Sequence, residues 1–321
     1  MAYVPLRTIA ELSEKVQTEW DVKYAALIKQ DAKQMNNLTQ VIQTQQEAIN
    51  IPFINSFETL EKLELYGTPT YRTVRGEVIN RAIAKYAKGL SIGRFTWSDP
   101  KSQSLLMNQL DALVAVAGWR RTLRVIDILN EGDTNSEFLS YDGKQYFAND
   151  HDLNGQVVDN LQTWDGSDPD ANVAEAFRDI RNIFHTLRFS DDGKKLPTVG
   201  ANLTIICHPY LETSFATLLR SQTLYKADVV VDNPYKNMAG LITNNQLESE
   251  TDWFLLMDLP GISPFVTVEH VDSSGALRPY IDEGDLNVRE RDTYEWLVKI
   301  VEETHPVHWY LAIKVKDSSA S

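Results

Sequence analysis

The chain is poor in cysteine and in positive charge, and it has no long hydrophobic run. A single cysteine, Cys207, among 321 residues excludes an internal disulfide and a multi-cysteine zinc site. Set in the apolar run LTIICH, it reads as a buried, inert thiol. Nowhere do eighteen apolar residues follow one another, which disfavours a membrane-spanning helix. The opening MAYVPLRTIAEL lacks the basic stretch and apolar run of a secretion signal, so synthesis in the cytosol is expected. Lys and Arg number 31 against 45 Asp and Glu, a net charge of -14. That balance argues against a molecule built as a whole to neutralise phosphates. P-loop, dinucleotide, H-E-x-x-H and kinase patterns are also missing. Enzyme function therefore has no positive support, and neither a cofactor nor a metal is expected.

What is present is a 43% hydrophobic, 24% charged composition, enough for one large core or two moderate ones. The charge is unevenly spread. Between Tyr66 and Trp97 lie six cations, Arg72, Arg75, Arg81, Lys85, Lys88 and Arg94, against the single acid Glu77. Between Asp127 and Asp192 there are fifteen acids and four Lys or Arg. One polypeptide thus carries a cationic segment and a separate anionic one.

Along the chain, Leu12, Val16, Trp20, Leu27 and Ile28 sit at helical spacings, predicting an amphipathic helix over about Ile9 to Asn50 that Pro52 ends. Residues 66–97 hold four glycines with β-branched and aromatic residues, which suits a long hairpin-like arm. Exposed cations there also serve to block edge-to-edge pairing. From Asp99 as N-cap and Pro100 at the first helical position to Gly132 past the end, one helix is predicted. Some thirty residues make it a rod of about 45 Å, with a bend at Gly118. A hairpin turning at Asp142-Gly143 follows, then a helix over VAEAFRDIRNIFHTLRF. The rest alternates: ANLTIICH as a buried strand, PYLETSFATLLRSQ as a helix, then VVVDNPY, WFLLMD, FVTVEHV, YEWLVKIVEE and HWYLAIKVK as strands. The class is α+β. The loop DNPYKNMAGLITNN is predicted to be an exposed, contact-making tip, with Asn233, Pro234, Tyr235 and Lys236 as contact candidates beside the six cations.

Several short patterns invite a chemical reading. DHDLNG at 150–155 opens like an EF-hand, with Asp150, Asp152, Asn154 and Gly155 in place, but position 12 is Leu161. DPDAN from Asp168 reaches Asp179 at position 12 yet has Val173 where the turn needs glycine. There, capping of the following helix by Asp168 is the favoured account, with Asp170 and Asn172 beside it. GLSIG at 89–93 matches a nucleophile elbow around Ser91, but no helix can begin straight after it. His305 and His308 in HPVH would fall together on a helix and apart on a strand, and the flanking residues favour strand. His185 and His208 read as structural histidines; the sequence by itself does not say what His270 pairs with. Two alternatives stay open: a metal-dependent hydrolase using Asp150, His151 and Asp152, and a nucleic-acid-binding module using the basic 66–97 segment.

In five stretches, YDGKQYFANDHDLNG, LTIICHPYLETSFATLLRSQ, DNPYKNMAGLITNNQL, WFLLMD and YEWLVKIVEETHPVHWYLAIKV, the chain resembles the major capsid proteins of tailed phages. The likeness is to the Hong Kong 97-type fold and, within it, the Mu-like major head subunits. The stretches fall in that family's order across roughly residues 100–315. The resemblance implies an N-terminal helical arm (1–60), an extended β loop (61–98), and a peripheral domain (99–172) with a spine helix over 99–131. It also implies an α/β axial domain (173–265) and return strands of the peripheral domain (266–321). The implied function is a head protein forming hexamers and pentamers of an icosahedral shell that encloses double-stranded DNA without specific binding. Its partners would be other copies, a portal, a scaffold and decoration proteins. It would reside in the virion after assembly in the host cytoplasm, away from membranes.

Overall fold

The computed structural model describes residues 18, 22–23, 38–54, 77–93, 100–188, 195–196, 201–226, 229–271, 277–280 and 293–319. In chain order these form β1 (Thr39–Thr44), β2 (Ala48–Phe53), β3 (Glu77–Ala82), β4 (Lys85–Gly93), α1 (Pro100–Gly118) and α2 (Arg120–Glu131). The small strands β5 (His151–Leu153), β6 (Gln156–Val158) and β7 (Leu161–Trp164) precede α3 (Pro169–Thr186), β8 (Asn202–Cys207) and α4 (Glu212–Arg220). Then come β9 (Thr223–Lys226), β10 (Val229–Asp232), β11 (Gly240–Thr243), β12 (Trp253–Asp258), β13 (Phe265–His270), β14 (Leu277–Tyr280), β15 (Thr293–Pro306) and β16 (Ala312–Asp317).

One sheet has the order β11-β8-β12-β16-β7. Its middle strand, β12, is buried from Trp253 to Met257, so it needs apolar side chains on both faces, and WFLLM supplies them. The helix α3 buries Val173, Phe177, Ile180 and Phe184, one stripe at steps of three and four. As expected, Asp168 caps it, its side chain accepting from the Ala171 N–H at 3.3 Å. Phe215 of α4 meets the Trp253 ring edge-on at 5.1 Å. Ser214 of the same helix donates to Asp170 of α3 at 2.5 Å.

The other large sheet is organised by β15. At about 3.3 Å per residue its 14 residues span roughly 45 Å. Thr293–Val301 pairs with β4, and Glu295–Val298 also pairs with β14. The remainder pairs with β13, which carries β1 alongside it in parallel. No described helix is long and apolar enough to cross a membrane.

Three expectations need correction. The helix expected to reach Asn50 gives way to strands from Thr39. Ile51 and Phe53 of β2 are each 1% exposed while Pro52 between them faces outward, a period-2 pattern that overrides the helical spacing upstream. Pro52 lies inside β2, which among the described residues pairs with β3 alone, where a missing N–H is tolerated. Thr18, Val22 and Lys23 are helical; the other residues of that expected helix before Leu38 lie outside the described ones.

The described part of 66–97 is not a hairpin either. The strands β3 and β4 follow each other but pair elsewhere, with β2 and β15, because the long apolar edge of β15 offers nine ladder positions. Last, the expected single helix runs as α1 and α2, meeting at Trp119. The ladder continues across the junction, Trp119 N–H to Ala115 and Leu123 N–H to Trp119, at 3.0 and 2.9 Å. Gly118 is buried beside that junction, while Asp99 lies outside the described residues.

Gly132 is required for a reason other than a left-handed cap. Its φ is -63°, but a Cβ there would lie 2.9 Å from the Phe147 ring and closer still to the Ile128 carbonyl. Gly132→Ala is therefore expected to destabilise the chain by about 1–3 kcal/mol through overpacking, read as a lower urea midpoint.

Candidate subunit-interaction surface

Of the ten contact candidates, Arg72, Arg75 and Arg94 lie outside the described residues. Lys85 and Lys88 stand exposed on β4, with Lys299 exposed on the neighbouring β15. Arg81 is drawn inward: it is half-buried and donates to the Leu139 carbonyl of its own chain. Burial lowers its pKa, with Glu137 opposing.

The stretch from Asn233 is not one exposed tip. Asn233 is 9% exposed and its amide donates to the Leu218 and Ser221 carbonyls at 2.6 and 2.9 Å. Its side-chain oxygen accepts from the Tyr235 N–H at 2.8 Å, an Asx turn that a short amide side chain favours. Tyr235 is half-buried, edge-on to Phe177 at 5.8 Å. Pro234 and Lys236 remain exposed. Opposite in sign to β4, the residues Asp150, Asp152, Asp159, Asp165, Asp168, Asp170, Glu175 and Asp179 are all exposed.

DHDLNG proves to be a turn. The strands β5 and β6 form a two-residue hairpin with Asn154 and Gly155 at φ 54° and 78°, the mirror-image turn that Asn-Gly favours. Strand alternation then sends His151 inward and its neighbours outward. His151 is 0% exposed and stacks on Trp309 at 4.2 Å. Its Nδ1 is 2.7 Å from Asp142 and its Nε2 3.3 Å from the Tyr146 carbonyl. Asp150 pairs with Lys144 at 2.9 Å, and Asp152 accepts from the Gly155 N–H at 2.6 Å. Both ring nitrogens are occupied and the carboxylates face away, so the hydrolase alternative has no site. Among the described residues no group of three His, Cys, Asp or Glu is poised for a metal.

The other short patterns resolve similarly. Ser91 is a strand residue paired with Glu295, not at a strand-to-helix elbow. His185 is exposed on α3 and is no core histidine. His208 accepts from the Tyr210 N–H at 3.3 Å at the turn before α4. Cys207 is buried, and burial pushes its thiol up to about 12. His305 ends β15 while His308 lies past it; burial lowers each to about 4. Arg81 of β3 and Arg124 of α2 reinforce that for His305, while hydrogen bonds to Ala82 and Ser263 oppose it. The unfolded chain, with histidines near 6.5, binds more protons below that pH than the folded one. Stability is then full above pH 6.5 and falls toward pH 4 by on the order of 3 kcal/mol per histidine. Urea midpoints across that window should drop for the wild type and drop less for His305→Phe.

A feature the sequence did not reveal joins the long helix to the long strand. Arg121 of α2 forks onto Glu302 of β15 at 2.8 and 2.6 Å and reaches Glu269 of β13 at 3.5 Å. Arg124 contacts Glu303 at 2.5 Å and also Glu137. Arg120 covers the Tyr86 ring at 3.5 Å, and Tyr86 donates to Glu303, which with burial pushes the phenol up to about 12. Both glutamate side chains are 5% exposed. A second clasp sets Lys314 and Lys316 of β16 on Asp133, each at 2.8 Å. Burial opposes the Asp133 charge, but the two lysines outweigh it and hold its carboxyl below the usual range. The arrangement is a brace: it ties α2 and the turn just past it to both sheets.

Residues 76–301, more than two thirds of the chain, match the family model for phage capsid protein. The chain belongs to the phage capsid protein family. Its fold is of the Hong Kong 97 type, as solved shells of very different sequence show. The procapsid protein of bacteriophage JBD30 aligns with a TM-score of 0.53 at 14% identity, over 98% of this chain and 77% of that one. A virus-like particle from Pyrococcus furiosus gives 0.50 at 13%, over 95% and 100%. The mature capsid of bacteriophage PhiM1 gives 0.52 at 11%, over 88% and 86%. No curated protein matches the chain. In this capsid protein the family match spans β3, β4, the helix pair and β15 as far as Val301, stopping just before the brace glutamates Glu302 and Glu303.

Proposed function

We propose that this capsid protein is the major head subunit, its copies forming hexamers and pentamers that close an icosahedral shell around double-stranded DNA. The family match over residues 76–301 carries that reading. Contacts in such a shell are heterologous, one patch meeting a different patch on the next copy. The exposed Lys85, Lys88 and Lys299 and the exposed acids between Asp150 and Asp179 supply two patches of opposite sign. Single exposed ion pairs contribute about 0–1 kcal/mol, so charge sets approach and register while apolar burial holds the shell.

Within this reading, 61–98 acts as the extended loop, 99–131 as the spine, 173–265 as the axial domain and 266–321 as the return strands. The Mu-like branch is supported by the ordered stretches from YDGKQYFANDHDLNG to the C-terminal strands. A portal, a scaffold and decoration proteins are the proposed partners, assembly takes place in the host cytoplasm, and no catalytic role is assigned. Negative-stain microscopy and sizing of the purified protein test the reading: capsomers or closed particles are expected, and a chain that stays monomeric at high concentration would refute it.

A further inference from the structure

The chain has a single Asn-Gly pair, Asn154-Gly155. Both residues are exposed in the turn between β5 and β6. Such a pair carries a chemistry of its own, because glycine has no Cβ to keep its backbone nitrogen away from the preceding side chain. The glycine nitrogen, once hydroxide has removed its proton, attacks the asparagine Cγ. A C–N bond forms and closes a five-membered succinimide, while the bond from Cγ to the side-chain nitrogen breaks and that nitrogen leaves as ammonia, protonated by water. Water then opens the ring at one of its two carbonyls, giving aspartate or, with the backbone rerouted through the side chain, isoaspartate. Asparagine and water become an acid and ammonia, with no change of oxidation state.

In the folded chain the attacking atom is tied up. The Gly155 N–H donates to Asp152 Oδ1 at 2.6 Å. The charge on the acceptor makes this a strong bond. A carboxylate is far too weak a base to take a peptide proton, so it holds the proton on nitrogen. Its charge also opposes the formation of an amide anion beside it.

Both flanks of the turn are pinned as well. Tyr141 donates its hydroxyl to the Asp152 carbonyl at 2.8 Å. Leu153 is 0% exposed and lies opposite Gln156 in the β5–β6 ladder. The Gln156 side-chain oxygen accepts from the Arg188 N–H at 2.9 Å, and its nitrogen donates to the Thr186 carbonyl at 3.4 Å. Rotation about the Asn154 backbone swings one flanking strand against the other, so it must break these bonds first.

We propose that Asn154 is a site of spontaneous deamidation that the folded turn keeps closed, with Asp152 as the residue that guards it. Opening the turn exposes the reaction. Its isoaspartate product, with a longer backbone, no longer fits a two-residue hairpin, so each conversion is a lasting mark of a turn that has opened.

The test holds the full-length wild type, Asp152→Ala and Asp152→Asn in mildly alkaline buffer, both folded and in urea. Aspartate and isoaspartate at position 154 are followed by peptide mass spectrometry, and hydrogen exchange is read in β12. The folded wild type should convert about tenfold or more slowly than the same chain in urea. Asp152→Ala should raise the folded-state rate about tenfold with exchange in β12 unchanged. Asp152→Asn, whose amide oxygen still accepts from the Gly155 N–H, should keep part of the protection, and in urea all three should convert alike. Equal rates for folded and urea-treated wild type, equal folded-state rates for wild type and Asp152→Ala, or faster exchange in β12 of Asp152→Ala would each overturn the proposal.

Discussion

Glu302→Ala should lower the stability of the unassembled subunit by about 3–5 kcal/mol. The Arg121 guanidinium, with its side chain 14% exposed, would lose both of its bonds to Glu302, while Glu269 stands farther off at 3.5 Å. A buried cation that loses its nearest carboxylate cannot recover its hydration, and that desolvation, more than the lost attraction, sets the cost. Replacing both partners, Arg121→Met with Glu302→Leu, should cost less than Glu302→Ala, since the one charge that then loses a partner, Glu269, is the more exposed at 23%. Urea unfolding of the four-member cycle measures this; a loss under about 1 kcal/mol in Glu302→Ala would show that the pair is solvated.

Trp309→Ala is the second large effect, also about 3–5 kcal/mol. The indole is 0% exposed, covers His151 at 4.2 Å and meets Tyr310 edge-on at 5.8 Å. Its removal opens a cavity at the point where the β5–β6 hairpin, the end of β15 and the start of β16 come together. It also uncovers the His151–Asp142 pair. Trp309→Phe should cost far less, because the buried indole Nε1 has no hydrogen-bond partner to lose. Equal midpoints for Trp309→Ala and Trp309→Phe would contradict this account of the packing.

Parts of this fold can be read directly from residue order. The Val173, Phe177, Ile180, Phe184 stripe announces α3, and WFLLM can only be a strand or helix buried on both sides. Elements whose identity depends on a distant partner are not legible in that way. The strand β4 pairs with residues some two hundred positions later, so nothing local to KYAKGLSIG says that it will not fold back on β3. In β2, the Ile49, Ile51, Phe53 alternation is visible, but the Gln- and Asn-rich helical spacing before it masks where the period changes.

The same holds for the surface. Charge segregation was legible, and Lys85, Lys88 and the acids of 150–179 are exposed as it implied. Arg81 and Asn233 were not separable from their exposed neighbours, because burial of a polar side chain depends on which carbonyls the fold brings to it. The Arg120, Arg121, Arg124 and Glu302, Glu303 brace was invisible for the same reason: sequence gives charges, and only packing makes them partners. Asn154-Gly155 was open to reading as a hairpin, since a glycine after asparagine serves a two-residue turn as readily as a cation loop.

The central claim, that cationic and acidic surfaces of one polypeptide meet between copies, is tested most directly by assembly of Lys85→Glu/Lys88→Glu followed by light scattering. The concentration needed for assembly should rise about tenfold or more, the rise should shrink at high salt, and Asp152→Lys/Asp159→Lys in the same chain should restore it in part. Assembly of the reversed variant at the wild-type concentration and salt dependence would contradict the account.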